Sequence, residues 1–163
     1  MLTGLLLMAT LSAPALGNPY DDAPSLIPAH STEDPFSWEL SSVALQPGQP
    51  GRITATLIVP PGTHVYRDQL EVSVANPDGL RIGKPDFPPG LTAPDPANKA
   101  MTRELYERDV IIYLPVNVPK KTEAVSAYVQ LQLRHQGCRE GLCFPPSDTM
   151  SHVLIPIRTT EAP

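Results

Sequence analysis

Prolines place the tightest limit on what this chain can become: 21 of them are spread along 163 residues. Proline removes a backbone donor, breaks helix interiors and is kept out of central strands. Spread this way, prolines favour short strands joined by rigid loops over long helices. Between them, apolar and polar residues alternate with period two. Phe36, Trp38 and Leu40 form one such set, Ile53, Ala55, Leu57 and Val59 a second, and Leu70, Val72 and Val74 a third. Val125, Ala127, Val129, Leu131 and Leu133 form the strongest. Each places apolar side chains on one strand face and polar ones on the other. Residues 110–116 and 153–157 are more continuously apolar strands.

Turn signals separate these segments: Gln46-Pro47-Gly48, Pro60-Pro61-Gly62, Asn76-Pro77-Asp78-Gly79 and Pro88-Pro89-Gly90. Seven or eight short strands at this spacing predict an all-β, immunoglobulin-like β-sandwich, with a small barrel as the alternative. Residues 93–103 carry no strand pattern and are expected to form an exposed loop. Hydrophobic residues make up 41% of the chain, enough for one folded domain. The net charge is -5 with both signs interspersed and no basic stripe, which argues against nucleic-acid binding. A monomer is expected.

The first 17 residues predict an export signal. The apolar run from Leu5 to Leu11 precedes Ala15-Leu16-Gly17, a small-x-small cleavage pattern, although no basic side chain stands before the run. Residues 18–35, interrupted by Pro19, Pro24, Pro28 and Pro35, are expected to be a linker; 36–158 is the domain and 159–163 a tail. Export implies a periplasmic location, where disulfides persist.

The two cysteines lie in Gln136-Gly137-Cys138-Arg139-Glu140-Gly141-Leu142-Cys143-Phe144-Pro145-Pro146. Four residues separate them, and Gly141 can take the left-handed conformation of a reversal. A four-residue hairpin connection would bring their Cα atoms to roughly 5.5 Å, within disulfide reach. A bridge closing about six residues is worth only about 2 kcal/mol by loop entropy. A plain structural bridge and a labile functional one therefore stay equally open on spacing alone. Cys138, Cys143 and His135 would also offer soft ligands to copper or zinc, but a structural zinc site usually has four protein ligands. No Ser-His-Asp order, carboxylate dyad or phosphate loop supports a hydrolase or kinase.

The segment ending in His135-Gln136-Gly137-Cys138 and resuming at Cys143-Phe144-Pro145-Pro146 resembles the N-terminal periplasmic domain of DsbD, the transmembrane thiol-disulfide interchange protein. Gly62-Thr63-His64-Val65-Tyr66-Arg67-Asp68-Gln69 is similar to a second stretch of that family. Glu104-Leu105-Tyr106 leading into Leu114-Pro115-Val116 is similar to a third. The resemblance spans residues 34–158. It implies an immunoglobulin-like domain with a reversible Cys138–Cys143 disulfide and no cofactor or metal, working as one component of a protein-disulfide reductase. Electrons would arrive from a thioredoxin-like domain and a membrane transporter of DsbD or CcdA type. They would leave to a periplasmic disulfide isomerase or a cytochrome c maturation protein. In the family the second cysteine forms the mixed disulfide, a role that carries over to Cys143, with Cys138 resolving it.

The same resemblance puts Tyr66 and His64 beside the disulfide, where His64 replaces a family tyrosine and, if protonated, would favour a thiolate. The family cap loop corresponds to about residues 95–103. It has no aromatic residue here, leaving Met101 as the one large apolar side chain to cover sulfur. Two other departures are the four-residue spacing, where five is more usual, and the lack of a counterpart to the family's membrane and C-terminal thioredoxin-like domains. The expectation is a stand-alone carrier or a piece of a longer chain. Two other readings remain: a periplasmic binding module with a structural disulfide, and a Cu(I)-handling protein.

Overall fold

The computed structural model describes residues 33–95 and 98–158. The predicted export signal, most of the linker and the tail lie outside the described residues. Ten strands and no helix are found among the described residues: β1 (Ser37–Ser42), β2 (Pro50–Ile58), β3 (Thr63–Asn76), β4 (Arg81–Ile82), β5 (Leu91–Pro94), β6 (Thr102–Tyr106), β7 (Val110–Asn117), β8 (Ser126–Arg139), β9 (Leu142–Cys143) and β10 (Ser147–Pro156). They form two sheets, the sandwich expected from the sequence. One has the order β1-β2-β7-β4; the other runs β10-β8-β3-β6-β5, with β9 also paired to β8. No helix here is long and apolar enough to cross a membrane.

The alternating patterns become the core between the sheets. Ile53, Ala55 and Leu57 of β2 meet Leu131 and Leu133 of β8, Ile112 and Leu114 of β7, and Ile155 of β10, all fully buried. Each large side chain buried this way is worth about 1.5–3 kcal/mol. The apolar run of β7 also alternates: Val110, Ile112, Leu114 and Val116 face the core, while Ile111 is exposed. Val125, counted in the strongest pattern, precedes β8 and is 74% exposed. Turns close at three of the four sites the sequence marks. Asp78 and Gly79 both have positive φ, and the Leu80 N–H donates to the Pro77 carbonyl, a type I′ turn that carries the chain from β3 in one sheet to β4 in the other.

The strand count and two loops differ from expectation. Residues 93–103 are not one long loop: β5 and β6 pair through Leu91↔Leu105 and Ala93↔Arg103. Between them the Asp95 N–H donates to the Met101 carbonyl at 2.8 Å. The pattern was illegible because β6 and β5 extend the sheet edgewise beyond β3, and Leu105 and Ala93 pack on its outer side and not in the main core. Pro88-Pro89-Gly90 is an irregular connection instead of a turn. β3 extends the strand predicted at Leu70, Val72 and Val74 back to Thr63, with a wide bulge. Val65 pairs with Gly137 and Leu70 with His135, so Tyr66 to Gln69 oppose Gln136 alone. On its other edge, at the start of the bulge, β3 pairs with β6 through Val65↔Tyr106 and Tyr66↔Leu105.

Candidate functional site: a disulfide on the outer face of the sheet

On β8 the odd-numbered side chains from Ala127 to His135 are buried toward the core. Cys138 has the opposite parity, so it projects from the outer face with Gln136 and Arg134. It is nonetheless only 2% exposed, because Tyr66 and Leu105 pack against it and Ala93 closes over them. This small cluster is separate from the main core. The β3 bulge and the β5–β6 hairpin build it, so both departures from the expected fold serve to roof one sulfur.

Cys138 is bonded to Cys143, with Cα atoms 3.9 Å apart. The connection is shorter than the predicted four residues. Arg139 pairs with Leu142, leaving a two-residue turn of Glu140 and Gly141, both at positive φ. The type I′ turn makes 138 and 143 the next facing pair. The Phe144 N–H donates to the Gly137 carbonyl at 2.9 Å, so the cysteines occupy the non-hydrogen-bonded position, where opposed Cα atoms come closest. That explains why they approach nearer than the ~5.5 Å expected. Unlike its partner, Cys143 is exposed, as is Leu142 beside it. One residue of the bridge is buried and the other exposed.

The residues around the cysteines have local reasons to be what they are. A Cβ on Gly137 would sit 2.0 Å from two ring carbons of Phe36, so only glycine admits that ring against the strand. Phe36 in turn packs edge-on to Phe144 at 6.1 Å and tilted to His135 at 5.4 Å. The Gln136 amide donates to the Phe144 carbonyl at 2.9 Å. Phe144 is therefore clamped through both its N–H and its C=O, which fixes the strand carrying Cys143.

His135 is buried on the core face. Its Nδ1 accepts a hydrogen bond from the Trp38 indole at 3.1 Å. Its Nε2 lies 2.9 Å from Asp34 Oδ2, close enough for an ion pair but not aligned as a hydrogen bond. Burial pushes the His135 pKa below its ordinary value; the Asp34 carboxylate opposes this without reversing it. The sheet thus separates His135 from the cysteine side chains, and the His135–Cys138–Cys143 set considered for a metal does not converge.

The other residues singled out from the sequence divide. His64 pairs directly with Cys138 across β3 and β8, and its ring meets Tyr66 edge-on at 5.0 Å. Met101 is 58% exposed, on a surface groove with Arg67, Asp68 and Arg103. Aliphatic Leu105 and Ala93 occupy the roof. Arg103 was not foreseen. Its guanidinium lies 3.8 Å from the Tyr66 ring centre, and its Nη2 contacts the Asp68 carboxylate at 2.6 Å. Asp95 is 3.8 Å from its Nε. A cation one strand pairing away from a family tyrosine leaves no signal in the sequence.

Known proteins agree with this architecture. The family model described as thiol:disulfide interchange protein DsbD, N-terminal, matches residues 36–155. Thiol:disulfide interchange protein DsbD of Cronobacter sakazakii is 26% identical over 163 residues, 99% of this chain. The chain spans 25% of that relative's length. The N-terminal domain of Neisseria meningitidis DsbD in the reduced form superposes with a TM-score of 0.51 at 24% identity, covering 78% of this chain and 89% of that one. The same domain in a complex between the DsbD and PilB N-terminal domains of that organism superposes at 0.52 with 23% identity, covering 80% and 89%. With its family match running from Phe36 through both cysteines to Ile155, the chain belongs to the DsbD N-terminal domain family.

Proposed function

We propose that this chain is a periplasmic thiol-disulfide exchange domain that relays two electrons at a time through Cys138 and Cys143. The observation that carries the reading is the asymmetry of one facing pair, Cys138 at 2% exposure and Cys143 open. A thiolate from a reducing partner attacks the sulfur it can reach, Cys143 Sγ. The S–S bond breaks and its electron pair leaves on Cys138 Sγ. The partner's second thiolate then attacks its own sulfur in the mixed disulfide, which frees Cys143 and leaves the partner oxidised. In the forward delivery Cys143 attacks an acceptor disulfide, and Cys138 resolves the mixed disulfide by re-forming the internal bond.

A thioredoxin-like domain fed by a membrane transporter is the proposed donor, and a periplasmic isomerase or cytochrome c maturation protein the acceptor. The tip residue Leu142, 66% exposed beside Cys143, offers an apolar contact to such partners. The solved complex of a DsbD N-terminal domain with a PilB N-terminal domain supports docking of a second folded domain. In this role Cys143 is the exchanging residue and Cys138 the resolving one, with Tyr66, His64 and Met101 as their surroundings.

Single-cysteine variants test the assignment. With a thioredoxin-like protein, Cys138→Ala is expected to accumulate a mixed disulfide through Cys143, and Cys143→Ala to form none. Exchange that persisted in Cys143→Ala would overturn the role given to Cys143. A couple with a potential below about -300 mV would overturn the relay in favour of a structural bridge.

A further inference from the structure

When the disulfide opens, a new thiolate appears where solvent cannot reach it, on Cys138. A buried anionic sulfur without a hydrogen-bond partner is strongly disfavoured, so exchange at this pair needs a group that can give Cys138 a proton and take it back. Strand register identifies one. His64 on β3 pairs with Cys138 on β8, and Cys138 pairs with Cys143 on β9. The three residues therefore form a single row across the sheet, on one face. Side chains at directly opposed positions have Cβ atoms roughly 4.5–5.5 Å apart. His64 thus flanks the sulfur on the side away from Cys143.

His64 is half-buried, yet its Nε2 is sealed from solvent and has no hydrogen-bond partner among the described residues while the disulfide is closed. A buried polar atom left unpaired is costly. A disulfide sulfur is a weak acceptor and carries no proton, whereas a thiol or thiolate can satisfy an imidazole nitrogen. A thiol or thiolate on Cys138 would offer the orphaned atom a partner in the reduced and mixed-disulfide states. The charged and titratable groups around it are Cys138 with Cys143 beyond it, Tyr66 edge-on along the same face of β3, and Arg103 of β6 stacked on Tyr66. Arg103 is itself held by Asp68 and lies near Asp95.

We infer that His64 is the acid–base partner of Cys138. In reduction, the electron pair released onto Cys138 Sγ takes the proton from His64 Nε2, and the resolution step returns it. In resolution, His64 Nε2 removes the Cys138 thiol proton as that sulfur attacks Cys143 Sγ, and the partner's sulfur leaves with the electron pair. Imidazole is the side chain suited to both directions near neutral pH. The inference rests on the exchange reading and adds the group that moves the proton.

The test uses the reduced protein and one equivalent of dithiobis(nitrobenzoate). Attack by Cys143 releases one thionitrobenzoate; resolution by Cys138 releases a second, in a distinct phase followed by absorbance. In His64→Gln the first phase should be unchanged. The second should slow by about 100-fold at neutral pH and converge on the wild-type rate in alkali, where Cys138 ionises unaided. His64→Phe, which keeps a ring against Tyr66, should behave alike and covers the case in which the glutamine variant fails to fold. A second phase unaltered at neutral pH, or slowed equally at every pH, overturns the inference and leaves the exchange reading standing. Wild-type protein that released only one equivalent would overturn both.

Discussion

Replacing Gly137 with alanine tests whether the glycine of the cysteine motif exists to admit Phe36. The added Cβ would lie 2.0 Å from two carbons of the Phe36 ring, far inside contact distance, and both the strand and the ring are packed. If the ring stays, overpacking costs about 1–3 kcal/mol. If it is expelled, the loss includes about 1.5–3 kcal/mol of burial for a side chain now 7% exposed. To that are added the ring contacts with Phe144 and His135, about 0.5–1.5 kcal/mol for an aromatic pair. The first route predicts a loss of about 1–3 kcal/mol and the second about 2–4.5 kcal/mol by denaturant unfolding of the oxidised protein. Gly137 does not have positive φ, so backbone strain contributes nothing. The decisive assay is a double-mutant cycle with Phe36→Ala. In that background Gly137→Ala should be neutral, or stabilising by about 0.4–1 kcal/mol through the lost flexibility of the unfolded chain. A cost that persisted undiminished without the Phe36 ring would refute the reasoning.

Two further predictions address the surroundings of the pair. The His135 pKa is lowered in the folded state by burial, so the unfolded chain binds the extra proton first and stability rises with pH. The contribution is complete above the unfolded value of about 6.5 and is lost as pH falls from there toward the folded value. Thermal midpoints should therefore drop on acidification across that window, and His135→Gln should flatten the dependence; an unchanged slope would count against it. Arg103→Met keeps the aliphatic stem but loses the stacking on Tyr66 and the Asp68 contact, together worth about 1 kcal/mol at this partly exposed position. Alkylation of Cys138 in reduced Cys143→Ser protein should then accelerate about fivefold, whereas an unaltered rate would mean that Arg103 does not hold the roof down.

Much of the sandwich was legible because its strands bury one face in one core. The alternation of Ile53, Ala55 and Leu57, or of Val129, Leu131 and Leu133, maps residue for residue onto buried positions. What escaped notice lies outside that rule. β5 and β6 bury Ala93 and Leu105 on the outer face, and a four-residue strand ending in proline shows no period. The bulge at residues 66–69 is a matter of register between β3 and β8, which periodicity within one segment cannot reveal. Glu140-Gly141 forms a two-residue turn although glutamate is not among the residues that announce positive φ. The motif around the cysteines was visible as a resemblance, but its cause was not. Gly137 yields to Phe36, a hundred residues earlier, and Gln136 holds the carbonyl of Phe144. Contacts that distant leave each residue looking ordinary in its own neighbourhood.

Placing Cys138 outside the main core has an energetic consequence for a bond that, in the proposed role, opens repeatedly. The bridge closes a loop of about six residues, worth about 2 kcal/mol. By contrast, the sheets bury Ile53, Leu57, Ile112, Leu114, Leu131, Leu133 and Ile155 completely, without contribution from either cysteine. Opening the bond therefore leaves the sandwich folded, and the cost of redox change falls on the small cluster of Tyr66, Leu105 and Ala93. Had Cys138 faced inward like Leu133 or His135, each reduction would have put a thiol or thiolate into the packed interior and coupled chemistry to global stability. On the outer face, a separate roof excludes water from one sulfur while its partner stays exposed. The burial difference between two facing residues can then direct which sulfur is attacked without the fold having to move.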